Sequence, residues 1–97
     1  MTDDDLRVTD NPDRHRFEAH LDGRVVAIST YRIVDDRIVF RHTETDDALE
    51  GRGIGSRLVR EALDSVRGRN LRVTADCPVV SAWIDRHPDY RDLLATG

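Results

Sequence analysis

The apolar residues of this chain keep two different rhythms, and the switch between them limits the fold more than any single residue does. From Arg16 they alternate, with Phe17, Ala19 and Leu21 set between Arg16, Glu18 and His20. A repeat of two belongs to a strand with one face covered. Asp22-Gly23 then predicts a tight hairpin turn. Arg24 to Val34 (RVVAISTYRIV), rich in β-branched residues, predicts the returning strand. Asp35-Asp36 predicts a second turn, and Arg37 to Thr43 (RIVFRHT) a third strand. Past Glu50 the rhythm changes. Apolar residues fall at 54, 58, 59, 62, 63 and 66, one face of a helix, with Arg57, Arg60, Glu61, Asp64 and Arg67 on the other. Gly68 is placed to end that helix. Leu71 to Ala75 (LRVTA) reads as a fourth strand. Pro78 suits the first position of a second helix running to about His87, and Pro88 stops it. Tyr90 to Ala95 adds a final turn.

This order predicts an α+β fold: an antiparallel β-meander, one βαβ crossover and a C-terminal helix. Ninety-seven residues suffice for one modest core and no second domain. Residues 1–13 lack periodicity and are expected to form a loose arm, leaving 14–97 as the single domain. Strand 37–43, helix 54–67 and strand 71–76 make the βαβ unit, so the two strands should lie parallel. Ligands of such units sit beyond the carboxyl ends of the strands. His42, Thr43, Glu44, the glycine-rich stretch after them and Cys77 should therefore gather at one edge of the sheet.

Composition narrows the function classes. A formal charge of −4 gives no footprint for a nucleic-acid backbone. All fifteen basic residues are Arg, and fifteen of the nineteen acids are Asp, which a bias toward GC-rich codons explains without invoking function. No apolar run is long enough for a membrane span, and the start MTDDD is acidic where a secretory leader is basic. The one cysteine, Cys77, cannot form an internal disulfide. A cytoplasmic monomer is the expectation. The four His lack ligand spacing, so no metal site is expected.

The break between the two rhythms holds the densest chemistry. EGRGIGS puts Gly51, Gly53 and Gly55 directly before the amphipathic helix. A helix N-terminus presents unpaired N–H groups and the positive end of the macrodipole, and glycines let a ligand come close to them. Phosphate is the usual guest, with Ser56 adding a hydroxyl and Arg52 and Arg57 adding charge. A flexible connector is the plainer reading, but three alternating glycines ahead of a well-formed helix argue against it. Walker A fails for want of any lysine. A dinucleotide fold nearly matches at Gly51-x-Gly53-x-x-Ser56 but needs several parallel repeats.

Four features in order carry a family resemblance: His42-Thr43-Glu44 at a strand end, Gly51-Arg52-Gly53-Ile54-Gly55, Cys77-Pro78 after the next strand, and His87-Pro88-Asp89-Tyr90. Over roughly residues 16 to 95 the chain resembles the GNAT N-acetyltransferases, in particular their short single-domain branch. The resemblance implies that Gly51, Arg52, Gly53, Ile54, Gly55 and Ser56 hold the pyrophosphate of acetyl-CoA. It implies that Thr43, Glu44 and Thr45, on a strand splayed from its neighbour, hold the pantetheine arm. A backbone N–H there would polarise the thioester carbonyl, and an amine of unknown identity would attack it directly. Two positions depart from the family pattern. Glu50 stands where Gln or Arg is usual, and its carboxylate repels a pyrophosphate. Trp83 falls where many larger members place a Tyr that protonates the leaving thiolate.

Acetyl transfer needs a neutral amine, a polarised carbonyl and a thiolate able to leave. His42 is the candidate general base, because only His titrates near working pH unperturbed. It shares strand parity with Ile38 and Phe40, so a core histidine with a satisfied hydrogen bond is the competing reading. Cys77, at the N-cap of a proline-started helix, is either a small buried hydrophobe, a proton donor to CoA or a transient acetyl carrier. His42 and Cys77 are expected to be neighbours. The amine side should be open, because the helices that shape it in larger members find no counterpart here. The rival class is a non-catalytic acyl-CoA-binding module.

Overall fold

The computed structural model describes residues 6–95. Five strands form one sheet in sequence order: β1 (Arg7–Asn11), β2 (Arg16–Leu21), β3 (Arg24–Val34), β4 (Arg37–Thr45) and β5 (Arg72–Ala75). Helix α1 (Ile54–Gly68) crosses from β4 to β5, and α2 (Pro78–Arg86) follows β5. The first three pairings are antiparallel and β4–β5 is parallel, as a single crossover requires. Among the described residues no helix is long and apolar enough to cross a membrane.

The turns follow from local chemistry. Asp22 (φ 53°) and Gly23 (φ 81°) both adopt left-handed backbone, the requirement of the two-residue turn joining β2 and β3. Helix α1 buries Ile54, Leu58, Val59, Ala62, Leu63 and Val66, the stripe that its sequence marks out. Each large side chain in that stripe contributes roughly 1.5–3 kcal/mol on burial. The helix runs through Gly68 and is capped by Arg69, with Asn70 (φ 57°) making the left-handed exit in place of the glycine. Pro78 opens α2 as expected, while the tail Pro88–Leu93 winds as a 3-10 turn.

Both helices share one core with the sheet, built on Phe17, Tyr31 and Phe40 and closed by Trp83 and Ile84. They pack side by side: Trp83 Nε1 of α2 donates to Ser56 Oγ of α1 at 2.9 Å. The sheet therefore has one covered face. Its other face carries exposed Val25, Arg32, Arg41, His42 and Glu44.

The expected loose arm over 1–13 is corrected for residues 7 to 13. Arg7–Asn11 is strand β1, paired in register with β2 from Arg7↔His20 to Asn11↔Arg16, and Pro12–Arg14 is a 3-10 turn. Residues 1–5 lie outside the described residues. The stretch RVTDN escapes a pattern search because Asp10 replaces an apolar inward residue. Asp10 is held there by Tyr31, whose hydroxyl donates to Asp10 Oδ1 at 2.5 Å, and by Arg69 at 3.1 Å. Burial, and then the Asp10 carboxylate, push the Tyr31 hydroxyl well above its ordinary pKa, so it stays protonated as the donor. Leu6 is buried just before the strand, and its carbonyl accepts from Arg57 of α1 at 3.0 Å.

Candidate functional site

The site begins with a bulge in β4. Tyr31 pairs with Phe40, but the next residue of β3, Thr30, pairs with His42, so Arg41 is extra. Two residues against one shift the alternation of side chains by one position. Ile38 and Phe40 point into the core before the bulge. After it, Thr43 faces the covered side, opposite Ser29, which is 0% exposed. His42 and Glu44 face the open side. The expectation that His42 follows Ile38 and Phe40 toward the core is therefore wrong, and so is the core-histidine reading. The His42 side chain is 61% exposed, with Nε2 3.3 Å from Glu44 Oε1. An exposed pair of this kind adds little stability, but it sets a histidine and a carboxylate together on the open face.

Cys77 goes to the other side. It is 1% exposed at the N-cap of α2, and its Sγ lies 3.3 Å from Thr43 Oγ1. Thr43 Oγ1 in turn lies 2.9 Å from Ser29 Oγ. The bulge thus places the side chains of His42 and Cys77, expected to be neighbours, on opposite sides of the sheet with Thr43 between them.

The strand end between them is open along its backbone. Parallel pairing of β4 with β5 ends at Phe40↔Ala75, while β4 continues to Thr45 with β3 as its only strand partner among the described residues. Thr45 is also where α1 comes close. A Cβ at Gly55 would meet Thr45 Oγ1 at 3.2 Å, so glycine allows the helix start to sit tightly against the strand end.

Of the loop glycines, Gly51 (φ 84°) and Gly53 (φ 77°) need left-handed backbone, which glycine adopts without strain. Gly53 is the N-cap and provides no side-chain cap. The first helical N–H groups, those of Ile54, Gly55 and Ser56, have no intrahelical carbonyl to reach. Gly51, Arg52 and Gly53 are exposed, while Ile54 is buried and anchors the start. These groups suit an anion in number and direction. The Arg52 backbone N–H donates to the Leu49 carbonyl at 3.4 Å, while its side chain makes no ion pair or hydrogen bond among the described residues. Arg57 is engaged by Glu61 Oε2 (2.8 Å) and the Leu6 carbonyl (3.0 Å). Glu50 is exposed and closes the short Asp47–Leu49 turn.

The sequence marked Ser56 for a ligand and Trp83 as a departure, but not that they bond to each other. Trp83 is 1% exposed and stacks on His87 with ring centroids 3.8 Å apart. The Tyr90 ring meets Trp83 edge-on at 4.8 Å, and the Tyr90 hydroxyl donates to Asp64 of α1 at 2.8 Å. His87 Nδ1 lies 2.7 Å from the Trp83 carbonyl, which can only accept, so this nitrogen carries the proton. The His-Pro-x-Tyr tail is a clamp on Trp83, and through Ser56 it steadies the glycine-led start of α1.

A separate feature went unnoticed in the sequence. A cavity of about 770 Å³ opens on the uncovered face of β1 and β2, lined by residues including Arg7, Asn11, Glu18 and His20. Glu18 is 6% exposed and takes hydrogen bonds from Arg16 (2.7 Å) and Asn11 (3.2 Å), with His20 at 3.1 Å. Burial alone would raise its pKa, but Arg16, Asn11 and His20 together hold it below the ordinary value. Arg16, Glu18 and His20 alternate along β2, but Asn11 belongs to β1 and joins them only through strand pairing.

A sheet that opens beside a glycine-led helix start is the architecture of an acyltransferase fold, and the comparisons agree. The chain belongs to the GCN5-related N-acetyltransferase family, whose model matches residues 16–93. Relatives include Protein NATD1 of Mus musculus, 34% identical over 85 residues, covering 86% of this chain and 77% of that protein. Protein NATD1 of Bos taurus is 35% identical over 85 residues, covering 86% and 75%. Among solved structures, a GCN5-like protein from Staphylococcus aureus superposes with a TM-score of 0.72 at 25% identity, covering 97% of this chain and 92% of that one. The ribosomal-protein-S18-alanine N-acetyltransferase of Escherichia coli superposes with a TM-score of 0.64 at 13% identity, covering 87% and 52%, a likeness of fold alone.

Proposed function

We propose that this protein transfers an acetyl group from acetyl-CoA to an amine. The observation that carries the reading is the open edge of β4 from His42 to Thr45, lying against the bare N-terminus of α1. Unpaired backbone groups at that edge suit a pantetheine arm, which is itself a chain of amides. The N–H groups of Ile54, Gly55 and Ser56, with Gly51 and Gly53 allowing approach and Arg52 adding charge, suit its pyrophosphate. Thr43, Glu44 and Thr45 line the arm, and a backbone N–H among them polarises the thioester carbonyl.

The amine comes from the open face. His42 stands there with Glu44 beside it, suited to take the proton that the attacking nitrogen must lose. Cys77 borders the opposite side of the same opening, suited to give a proton to the departing thiolate or to carry the acetyl group briefly. No helix among the described residues covers the open face, which suits an exposed protein amine or a small flexible one. We place the activity in the cytoplasm.

Trp83 favours a second reading. It stands at the usual general-acid position with its N–H committed to Ser56 and no acidic proton. A non-catalytic acyl-CoA-binding module would need none. Calorimetric titration with acetyl-CoA and with CoA, followed by an amine-acceptor screen read by mass, tests both. Absence of binding sinks both readings. Binding with turnover of any amine selects the enzyme, and binding with none selects the module.

A further inference from the structure

The bulge in β4 does more than turn His42 outward. Alternation lets only every second residue of a strand face one side, yet Arg41 and His42 are consecutive and both exposed on the uncovered face. Bulges re-aim side chains in this way beside functional sites. Arg41 lines a cavity of about 300 Å³ together with Arg32, Val34, Val39 and Asp76. That volume lies at the lower end of the range for small-molecule sites. The cavity stands where β4 parts from β5, since their pairing ends at Phe40↔Ala75 and Asp76 is the next residue. Its lining sorts by chemistry. Val34 and Val39, both half-buried, supply the apolar part. Arg32, which pairs with Val39, and Arg41, two residues beyond Val39, set two positive charges on adjacent strands. Like charges on neighbouring strands repel each other. Neither guanidinium has an ion pair or hydrogen bond among the described residues, and the Asp76 carboxylate has none either. A chain of formal charge −4 thus keeps two uncompensated arginines at the acyl-transfer opening.

We propose that this cavity holds the acceptor, and that the acceptor is a small zwitterionic amine of the amino-acid kind. The proposal deepens the acetyltransferase reading above and rests on it. The acceptor's carboxylate meets Arg32 and Arg41, whose guanidinium groups offer N–H donors in the planar fork that a carboxylate fits. Its ammonium is drawn to Asp76, at the parting of the two strands. Its side chain lies over Val34 and Val39. A phosphate in place of the carboxylate would bring a second negative charge toward Asp76. An amine with no anionic group would leave both arginines uncompensated. The zwitterion gives each of these charges an opposite partner.

In the reaction, the ammonium gives one proton to solvent by way of His42, and the neutral nitrogen bonds to the carbonyl carbon. The carbon–sulfur bond breaks, and the CoA sulfur leaves with the electron pair. The nitrogen sheds a second proton, and the sulfur takes one up. Acetyl-CoA and the ammonium form thus give the amide, the CoA thiol and one free proton, with no further reactant. The amide is uncharged, so the product has lost the charge that met Asp76 and should bind more weakly than the substrate.

The test compares each standard amino acid with its own carboxamide, which keeps the amine and lacks the carboxylate. L-leucine and L-leucinamide come first, because part of the lining is apolar. Transfer in the full chain is read by the mass of the acetylated product and by release of the CoA thiol. Leucine should be used with kcat/KM about 10–100-fold above leucinamide, the effect of a hydrogen-bonded charge pair. Arg32→Gln and Arg41→Gln should each lower that ratio about tenfold, mainly through KM for leucine. The ratio sets two acceptors against each other on one protein, so partial loss of folding leaves it unaltered. Backbone amide shifts on adding leucine without acetyl-CoA should centre on Arg32, Val39, Arg41 and Asp76. Equal use of amino acids and carboxamides, or a ratio untouched in both variants, overturns the proposal. Transfer to no amino acid does the same. Calorimetry with acetyl-CoA separates the two levels. No binding overturns the acetyltransferase reading and the acceptor role with it, while binding and transfer to amines without preference for the carboxylate overturn the proposal alone.

Discussion

The two helices of this protein begin at the same edge of the sheet and begin in opposite ways. α1 starts on exposed Gly51, Arg52 and Gly53, and α2 starts on buried Cys77 followed by Pro78. Neither has a side-chain cap. An uncapped start leaves N–H groups and a positive dipole end to be satisfied from elsewhere. At α1 the surroundings are solvent and the backbone is bare, so water or an external anion can meet these groups. At α2 the N-cap is a side chain of the chain itself, facing Thr43 inside the structure, so the dipole acts on a thiol. The same electrostatic device faces solvent at one start and a buried thiol at the other.

Gly53→Glu should have the largest effect, abolishing acetyl-CoA binding in calorimetry while the circular dichroism spectrum is kept. A Cβ at Gly53 meets nothing within 4 Å, so any clash is with a ligand. Left-handed backbone strains any non-glycine residue there by roughly 1–2 kcal/mol. Gly53→Ala carries that strain without the charge, and the difference between the variants isolates repulsion of phosphate. Equal affinity in Gly53→Glu and the parent would erase the proposed distinction between the two starts.

Cys77→Ala comes next. It should cut acetyl transfer by about 10²-fold with acetyl-CoA affinity spared, as expected for a lost acid–base group. Full activity would make the second start a matter of packing.

Glu18→Gln probes a network remote from both starts, so acetyl-CoA affinity should not change. Stability at neutral pH should fall by about 1–3 kcal/mol, the usual cost of damaging a buried hydrogen-bonded carboxylate. The folded pKa of Glu18 lies below its ordinary 4.5. Its contribution is therefore fully present above that ordinary value and is lost as pH falls through the folded value. Denaturant melts from neutral to acid pH should show a shallower acid limb in Glu18→Gln than in the parent. An unchanged limb would assign acid sensitivity elsewhere.

The smallest effect is expected from Trp83→Phe, which breaks the hydrogen bond from α2 to Ser56 of α1. Removing the donor to Ser56 should cost about 0.5–1.5 kcal/mol in a denaturant melt. Ser56 is exposed and can turn to water, so acetyl-CoA affinity should drop no more than a few-fold. A much larger loss would mean that the start of α1 depends on α2 for its shape.

Much of this protein was legible before folding, and the parts that were not have a common cause. Alternation from Arg16, the helical stripe from Ile54 and the turn at Asp22-Gly23 are local signals that the folded chain obeys. The glycine loop was legible too, because a bare helix start is written within a few consecutive residues. Strand β1 was not, since Asp10 is kept facing the core by Tyr31, twenty-one positions away. The part of Asn11 in the Glu18 network was hidden for a like reason, since it reaches Glu18 only through the pairing of β1 with β2.

His42 marks the boundary most sharply. From the sequence, its place at a strand end beside the glycine loop is determined, and so is its chemistry. Which face of the sheet it occupies is not, because a repeat of two carries no record of an extra residue. That residue is Arg41, and it is extra only relative to β3, where Tyr31 and Thr30 pair with Phe40 and His42. Local periodicity and backbone preference settled the elements, their order and the bare helix start. Pairing between distant strands settled the bulge, sending His42 to the open face and Thr43 inward to Cys77, because register is a relation between two segments.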